Sequence, residues 1–273
     1  MIIKEYRIPL PLKLNEYQRG QRFTVSEASK AETGGGEGVE FVDQSQFKEL
    51  ELIAGKPCSG TYTRKIYRSQ SKVFPSEAFE IHEECWNAFP YTKTVVTNPK
   101  YMKENFQVVI ESMHVQNNGH TDDVLFTLQP GIKRDVVHLD IRDDAFISKS
   151  DYAPTTDPKK WHSKKANRGP LKDDWISSKE FPIMCCYKLV SVNFKWSGLQ
   201  RVAERQIHKA YSRLFTKLNR ECVCWMDRWL CMSMSDIEKL EEETKRQLHR
   251  QIADSDRKGM AFSEISKFSN STV

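Results

Sequence analysis

Along residues 184–196, MCCYKLVSVNFKW, apolar side chains recur on the even positions, the period of a strand whose alternate residues face one side. Met184, Cys186, Val190, Val192, Phe194 and Trp196 form the stripe, and Lys188 interrupts it with an ammonium group. The same kind of pattern, bounded by glycine, proline and asparagine breakers, predicts further strands over 2–8, 39–42, 61–69, 91–97, 106–114 and 136–142. Several of the gaps are of hairpin length, which points to a mostly antiparallel sheet.

Elsewhere the period is helical. One helix is predicted over 14–30, capped by Asn15 and with Tyr17 packed inward, and another around 99–104. After Gly198, the residues Leu199, Val202, Ala203, Gln206, Ala210, Leu214, Leu218, Cys222, Trp225 and Trp229 recur at intervals of three and four. They predict one helix about 45 Å long, with that stripe toward the core. Ser235-Asp236-Ile237-Glu238 reads as the capping box of a last helix running through EEETKRQL. Residues 149–179, rich in Lys, Asp, Pro and Ser, are expected to be an extended, solvated excursion. The reading is an α+β fold: one domain over 1–258, a curved, mostly antiparallel sheet wrapped around a long helix, and a tail over 259–273.

Composition narrows the function. The 273 residues carry a net charge of +5 without a dense Lys/Arg block, which suits an anionic membrane surface or ligand and does not favour nucleic acid. Charges inside the N-terminal apolar run argue against a secretory signal or a membrane span, so a cytoplasmic protein with peripheral membrane contact is expected. His82-Glu83-Glu84-Cys85-Trp86 begins like a zinc-protease helix, but Trp86 stands where a second His is required. The cysteines lack C-x-x-C spacing, the glycine run at 34–38 has no Lys-Ser/Thr after it, and no G-x-S-x-G occurs. A binding protein is expected, not an enzyme, with no metal and no cofactor.

Three charges sit where core is predicted. Lys188 either snorkels to the sheet edge, meets a carboxylate, or faces an anionic ligand in a cavity. In TYTRKIYRS, Thr63 and Lys65 share one face as donors suited to phosphate and hydroxyls, although an edge strand with two wet faces also explains the pattern. On the last helix, Glu241 falls inside the apolar arc of Ile237, Leu240, Thr244, Leu248 and Ile252. It either pairs with a cation or accepts hydrogen bonds from a polyol.

The runs IKEYRIPLPL, EASKAETGGGEGVE, YTRKIYRSQSKV, IHEECWNAFPYTKTVVTN, CCYKLVSVNFKWSGLQ and EEETKRQL resemble class I phosphatidylinositol transfer proteins, over nearly all of residues 1–260. The resemblance implies a START-like helix-grip fold enclosing one phospholipid, phosphatidylinositol or phosphatidylcholine, that is exchanged between membranes. The alternative is a module that supplies phosphatidylinositol to a phosphoinositide kinase without net transfer. A monomer is implied, cytoplasmic and peripheral on membranes, Golgi and endomembranes among them, with the phospholipid as its only bound molecule. The family's inositol-binding positions map to Thr63, Lys65, Asn87 and Glu241, and its phosphate-binding positions to Gln21, Thr94, Ser112 and Lys188. Thr92, where many members have cysteine, and Glu83 lie near the headgroup in this mapping. Trp196-Ser197 replaces a membrane-docking Trp-Trp pair, Ser163 matches a phosphorylation position, and the chain is several residues shorter than the family between Ser71 and Ile81.

Overall fold

The computed structural model describes residues 1–34, 37–53, 55–68, 80–125 and 133–254. Among these, eight strands form one sheet: β1 (Ile2–Leu10), β2 (Gly38–Ile53), β3 (Lys56–Arg68), β4 (Glu80–Ala88), β5 (Tyr91–Thr97), β6 (Phe106–Val115), β7 (Asp135–His138) and β8 (Met184–Phe194). The spatial order is β2-β3-β4-β5-β6-β8-β1-β7, antiparallel throughout except for the parallel β1–β7 pair. The helices are α1 (Leu14–Glu32), α2 (Gln200–Cys224), α3 (Met226–Trp229) and α4 (Met234–Ala253). The expected α+β architecture, a mostly antiparallel sheet with a long helix against it, is the one observed. The shortened segment of the resemblance lies mostly, and the 259–273 tail wholly, outside the described residues.

Several elements differ from expectation. The strand β4 was absent from the alternation because its sequence, EIHEECWNA, is half-buried at every position and polar on both faces. Strands β2 and β3 run far beyond 39–42 and 61–69 as a long hairpin whose exposed part is held by ladder hydrogen bonds and leaves no apolar period to read. The strand predicted to 142 stops at His138, and the one predicted to 196 stops at Phe194, leaving Trp196 exposed. In place of a helix around 99–104 there is one 3₁₀ turn, Lys103–Asn105, preceded by a turn in which Asn98 Oδ1 accepts from the backbone N–H groups of Tyr101 and Met102.

Helix α1 is not capped by Asn15. The Glu16 carboxylate accepts the Lys13 backbone N–H at 2.8 Å, and Arg168 clamps the same carboxylate at 2.7 and 2.9 Å. Likewise the N-cap of α4 is Ser233: Ser233 and Asp236 form the capping box, two residues before the serine chosen from the sequence. Either serine has a carboxylate three residues on, so local spacing does not separate them.

The largest correction concerns α2. It ends at Cys224, where Trp225 leaves helical geometry, so its 25 residues span about 37 Å. Its buried stripe is Glu204, His208, Ser212, Phe215, Thr216, Asn219 and Cys222, while Leu199, Val202 and Leu214 of the predicted core stripe are exposed. The burial of polar side chains is tolerated because each bonds close by. Ser212, Thr216 and Asn219 donate to the carbonyls one turn back at 2.8–3.0 Å. Tyr6 reaches His208 Nδ1 at 3.0 Å.

Residues 149–179 are not solvated throughout. Trp161, Leu171 and Trp175 are buried in the main core, and Trp175 Nε1 donates to Asp140 Oδ1 at 3.1 Å. Three large apolar anchors outweigh a polar average. A second cluster, with Cys185, Tyr187 and Leu189, covers the other face of β8, so this strand is buried on both sides.

Candidate functional site

Directly opposed residues of neighbouring strands project from the same side of a sheet. Asn87, Thr92, Ser112 and Lys188 stand opposite one another on β4, β5, β6 and β8. The next rung carries Thr63, Cys85 and Thr94, and the one after it Lys65 and Glu83. The strand residues singled out from the sequence, Trp196 aside, therefore share one face and three adjacent rungs. Three interstrand steps, about 14 Å, separate the Asn87 and Lys188 backbones.

Lys188 is buried. Its Nζ donates to Ser112 Oγ at 3.3 Å and lies 5.1 Å above the Phe215 ring centre. Among the described residues no carboxylate pairs with it, and desolvation lowers its pKa from the ordinary lysine value. Neither bland reading of this lysine, the snorkel or the internal ion pair, is observed among the described residues. It borders a cavity of about 90 Å³ together with Gln21 and Thr24 from α1 and Phe215, Asn219 and Cys222 from α2. The two sequence-predicted residues Gln21 and Lys188 thus meet across one space.

At the other end the groups are paired. Lys65 Nζ is 3.5 Å from Glu83 and 4.9 Å from the Phe41 ring centre, and Tyr67 donates to Glu83 Oε2 at 3.1 Å. Strand β3 lies between β2 and β4, so the edge-strand explanation of its mixed faces does not hold. Asn87 Oδ1 is buried without a hydrogen-bond partner among the described residues. Glu241 accepts a two-pronged bond from Arg22, Nε to Oε1 at 2.8 Å and Nη2 to Oε2 at 2.5 Å. Arg22 gave no signal in the sequence: it lies 219 residues from its partner.

His114 was also missed. It follows Ser112 on the same face of β6, is buried against Tyr17 and Phe89, and has no partner on either ring nitrogen among the described residues. Burial, with a smaller contribution from the Lys188 charge, holds its pKa well below the ordinary histidine value. Above pH 6.5 both folded and unfolded states are neutral at this residue. Below it the unfolded chain takes a proton that the folded one refuses, so stability falls with falling pH. The expected loss is about 1.4 kcal/mol per pH unit below 6.5, measured as the urea midpoint against pH, and His114→Phe should remove that part of the slope.

Two predicted residues lie outside the cluster. Trp196 sits on the exposed loop after β8, stacked 6.3 Å from Phe194 and 6.5 Å from Tyr101. Ser163 is fully buried and donates to Asp227, whose other oxygen accepts the Lys164 N–H.

An open sheet gripping a helix, with the buried lysines Lys65 and Lys188 and a row of hydroxyl and amide groups on the inner face, defines a helix-grip, START-like binding fold. The chain belongs to the phosphatidylinositol transfer protein family, whose model matches residues 1–246. It is 41% identical over 261 residues to the phosphatidylinositol transfer protein beta isoform of Mus musculus, covering 91% of this chain and 93% of the mouse protein. It is 39% identical over 264 residues to phosphatidylinositol transfer protein 1 of Dictyostelium discoideum, covering 94% and 97%. The human membrane-associated phosphatidylinositol transfer protein 2 is 36% identical, matching 98% of this chain but 20% of its own length. No helix among the described residues is long and apolar enough to cross a membrane.

Proposed function

We propose that this protein carries one phospholipid, phosphatidylinositol or phosphatidylcholine, and exchanges it between membranes without altering it. The observation that carries this reading is Lys188, an ammonium buried with no counter-anion among the described residues, on the rung of Ser112, Thr92 and Asn87. A lipid phosphodiester supplies the missing anion, with Gln21, Thr94 and Ser112 donating beside it. Thr63, Lys65, Asn87 and Glu241 serve the inositol hydroxyls, with Glu83 and Thr92 close to the ring; the open Asn87 oxygen gains a donor there.

Two acyl chains hold about thirty methylenes, so bare passage through water faces roughly 25 kcal/mol, which apolar walls remove. The cavity of about 90 Å³ at Lys188 suits the phosphate group. It is well below the roughly 300–1,000 Å³ of a drug-sized pocket, so loading both chains requires α2 or α4 to move from the sheet. Trp196, Leu199, Val202 and Tyr101, exposed beside Lys195 and Arg201, make the face offered to the bilayer. In this reading Ser163 becomes accessible to a kinase only when the 163–168 turn opens and its bond to Asp227 breaks.

Denaturing mass spectrometry of purified protein should detect intact phospholipid, up to one per chain, and labelled lipid should move from donor to acceptor vesicles. Absence of both, or released headgroup, overturns the proposal. Lipid retained without transfer favours presentation to a partner. Thr63→Ala removes one hydroxyl contact, so phosphatidylinositol transfer should fall about five- to tenfold with phosphatidylcholine transfer little changed. Equal losses for the two lipids would remove the headgroup assignment.

A further inference from the structure

Glu241 is claimed twice, by Arg22 in the structure and by the inositol in the proposed function. The pair is not a loose surface contact. Both side chains are about one-fifth exposed, and they join different helices, α1 and α4. The two carboxylate oxygens each take one guanidinium N–H. Arg22 directly follows Gln21, which borders the Lys188 cavity, so one turn of α1 reaches toward both ends of the site.

The position of Glu241 follows from its neighbour one turn on. Lys245 Nζ lies 5.9 Å from the Phe41 ring centre, and Lys65 Nζ lies 4.9 Å from the same centre. The turn of α4 that carries Glu241 and Lys245 therefore sits over β2 and β3 at the Lys65 end of the site.

A carboxylate has about four lone-pair positions, and a guanidinium fork uses two. The other two remain for hydroxyl donors. The fork also cancels the carboxylate charge. Left alone, Glu241 would attract a quaternary ammonium; neutralised and held in plane, it serves neutral hydroxyls better. We infer that Arg22 is a positioning residue that sets headgroup selectivity, orienting Glu241 for a polyol headgroup and suppressing its attraction for a cationic one. This rests on the lipid-carrier reading above.

The test is competitive transfer of phosphatidylinositol and phosphatidylcholine from mixed vesicles by the wild type, Arg22→Met, Arg22→Lys and Glu241→Gln. Arg22→Met should lower the phosphatidylinositol-to-phosphatidylcholine ratio about five- to tenfold, the scale of one ordinary hydrogen bond. Arg22→Lys, which keeps the charge but not the fork, should recover part of it, and gives the readout should the methionine variant fail to accumulate. Adding Arg22→Met to Glu241→Gln should leave the ratio where Glu241→Gln alone put it. If the wild type carries both lipids and the ratio is unchanged in Arg22→Met and Arg22→Lys, the pair is only a tie between helices and the inference falls alone. If the wild type carries neither lipid, the carrier reading falls and this inference with it.

Discussion

Replacing Lys188 by Met should abolish transport of both phospholipids and make the lipid-free protein more stable. The two effects have one cause. In the lipid-free chain the ammonium is desolvated, with Ser112 Oγ and the Phe215 ring as its contacts and no anion beside it among the described residues. Methionine fills the same space without a charge, and such replacements are worth about 1–4 kcal/mol in favour of the apolar residue. In the loaded protein the same ammonium faces the phosphodiester, and truncating one member of a buried charge pair costs about 2–5 kcal/mol. Lipid affinity should therefore drop by about thirtyfold or more. The stability gain should shrink as pH rises toward 10.5, because the folded wild type gives up its proton there while the unfolded chain still holds it. Vesicle transfer and urea melts check both halves. A Lys188→Met protein that still carries lipid, or that melts earlier than wild type, contradicts the assignment.

The second large effect is structural and lies where α1 meets α3. Trp229 is fully buried, donates from its indole N–H to the Cys222 carbonyl at 2.8 Å, and lies against Gly20. Trp229→Ala should cost about 3–5 kcal/mol, since it leaves a cavity and an unpaired carbonyl. A methyl added at Gly20 would stand 2.7 Å from Trp229 Cζ2 and 2.9 Å from Cys222 Sγ. Gly20→Ala should thus be destabilising by about 1–3 kcal/mol, although alanine is the better helix former. In a Trp229→Leu background the obstruction is smaller, and the same substitution should become neutral or mildly stabilising. Additive effects in that double-mutant cycle would show that the two residues do not press on each other. Since α1 also carries Gln21 and Arg22, Gly20→Ala should slow lipid transfer as well.

The chain itself determined whatever depends on local period. Alternation in β8 and β6 put Lys188 and Ser112 on an apolar face, and the same parity put Thr63 with Lys65. Resemblance then joined these positions to Gln21, Asn87 and Thr94. Long-range packing settled the rest. The strand β4 was invisible because half-burial on both faces erases the apolar period that marks a strand, although it carries Asn87 and Glu83. The inward face of α2 was misread because most of its buried groups are polar, with Ser212, Thr216 and Asn219 bonded within the helix and His208 to Tyr6, while Val202 and Leu214 face outward. The fork between Arg22 and Glu241 needs two helices brought together from opposite ends of the chain. Periodicity reports the average environment of a segment; which polar group meets which depends on contacts between segments that no local pattern encodes.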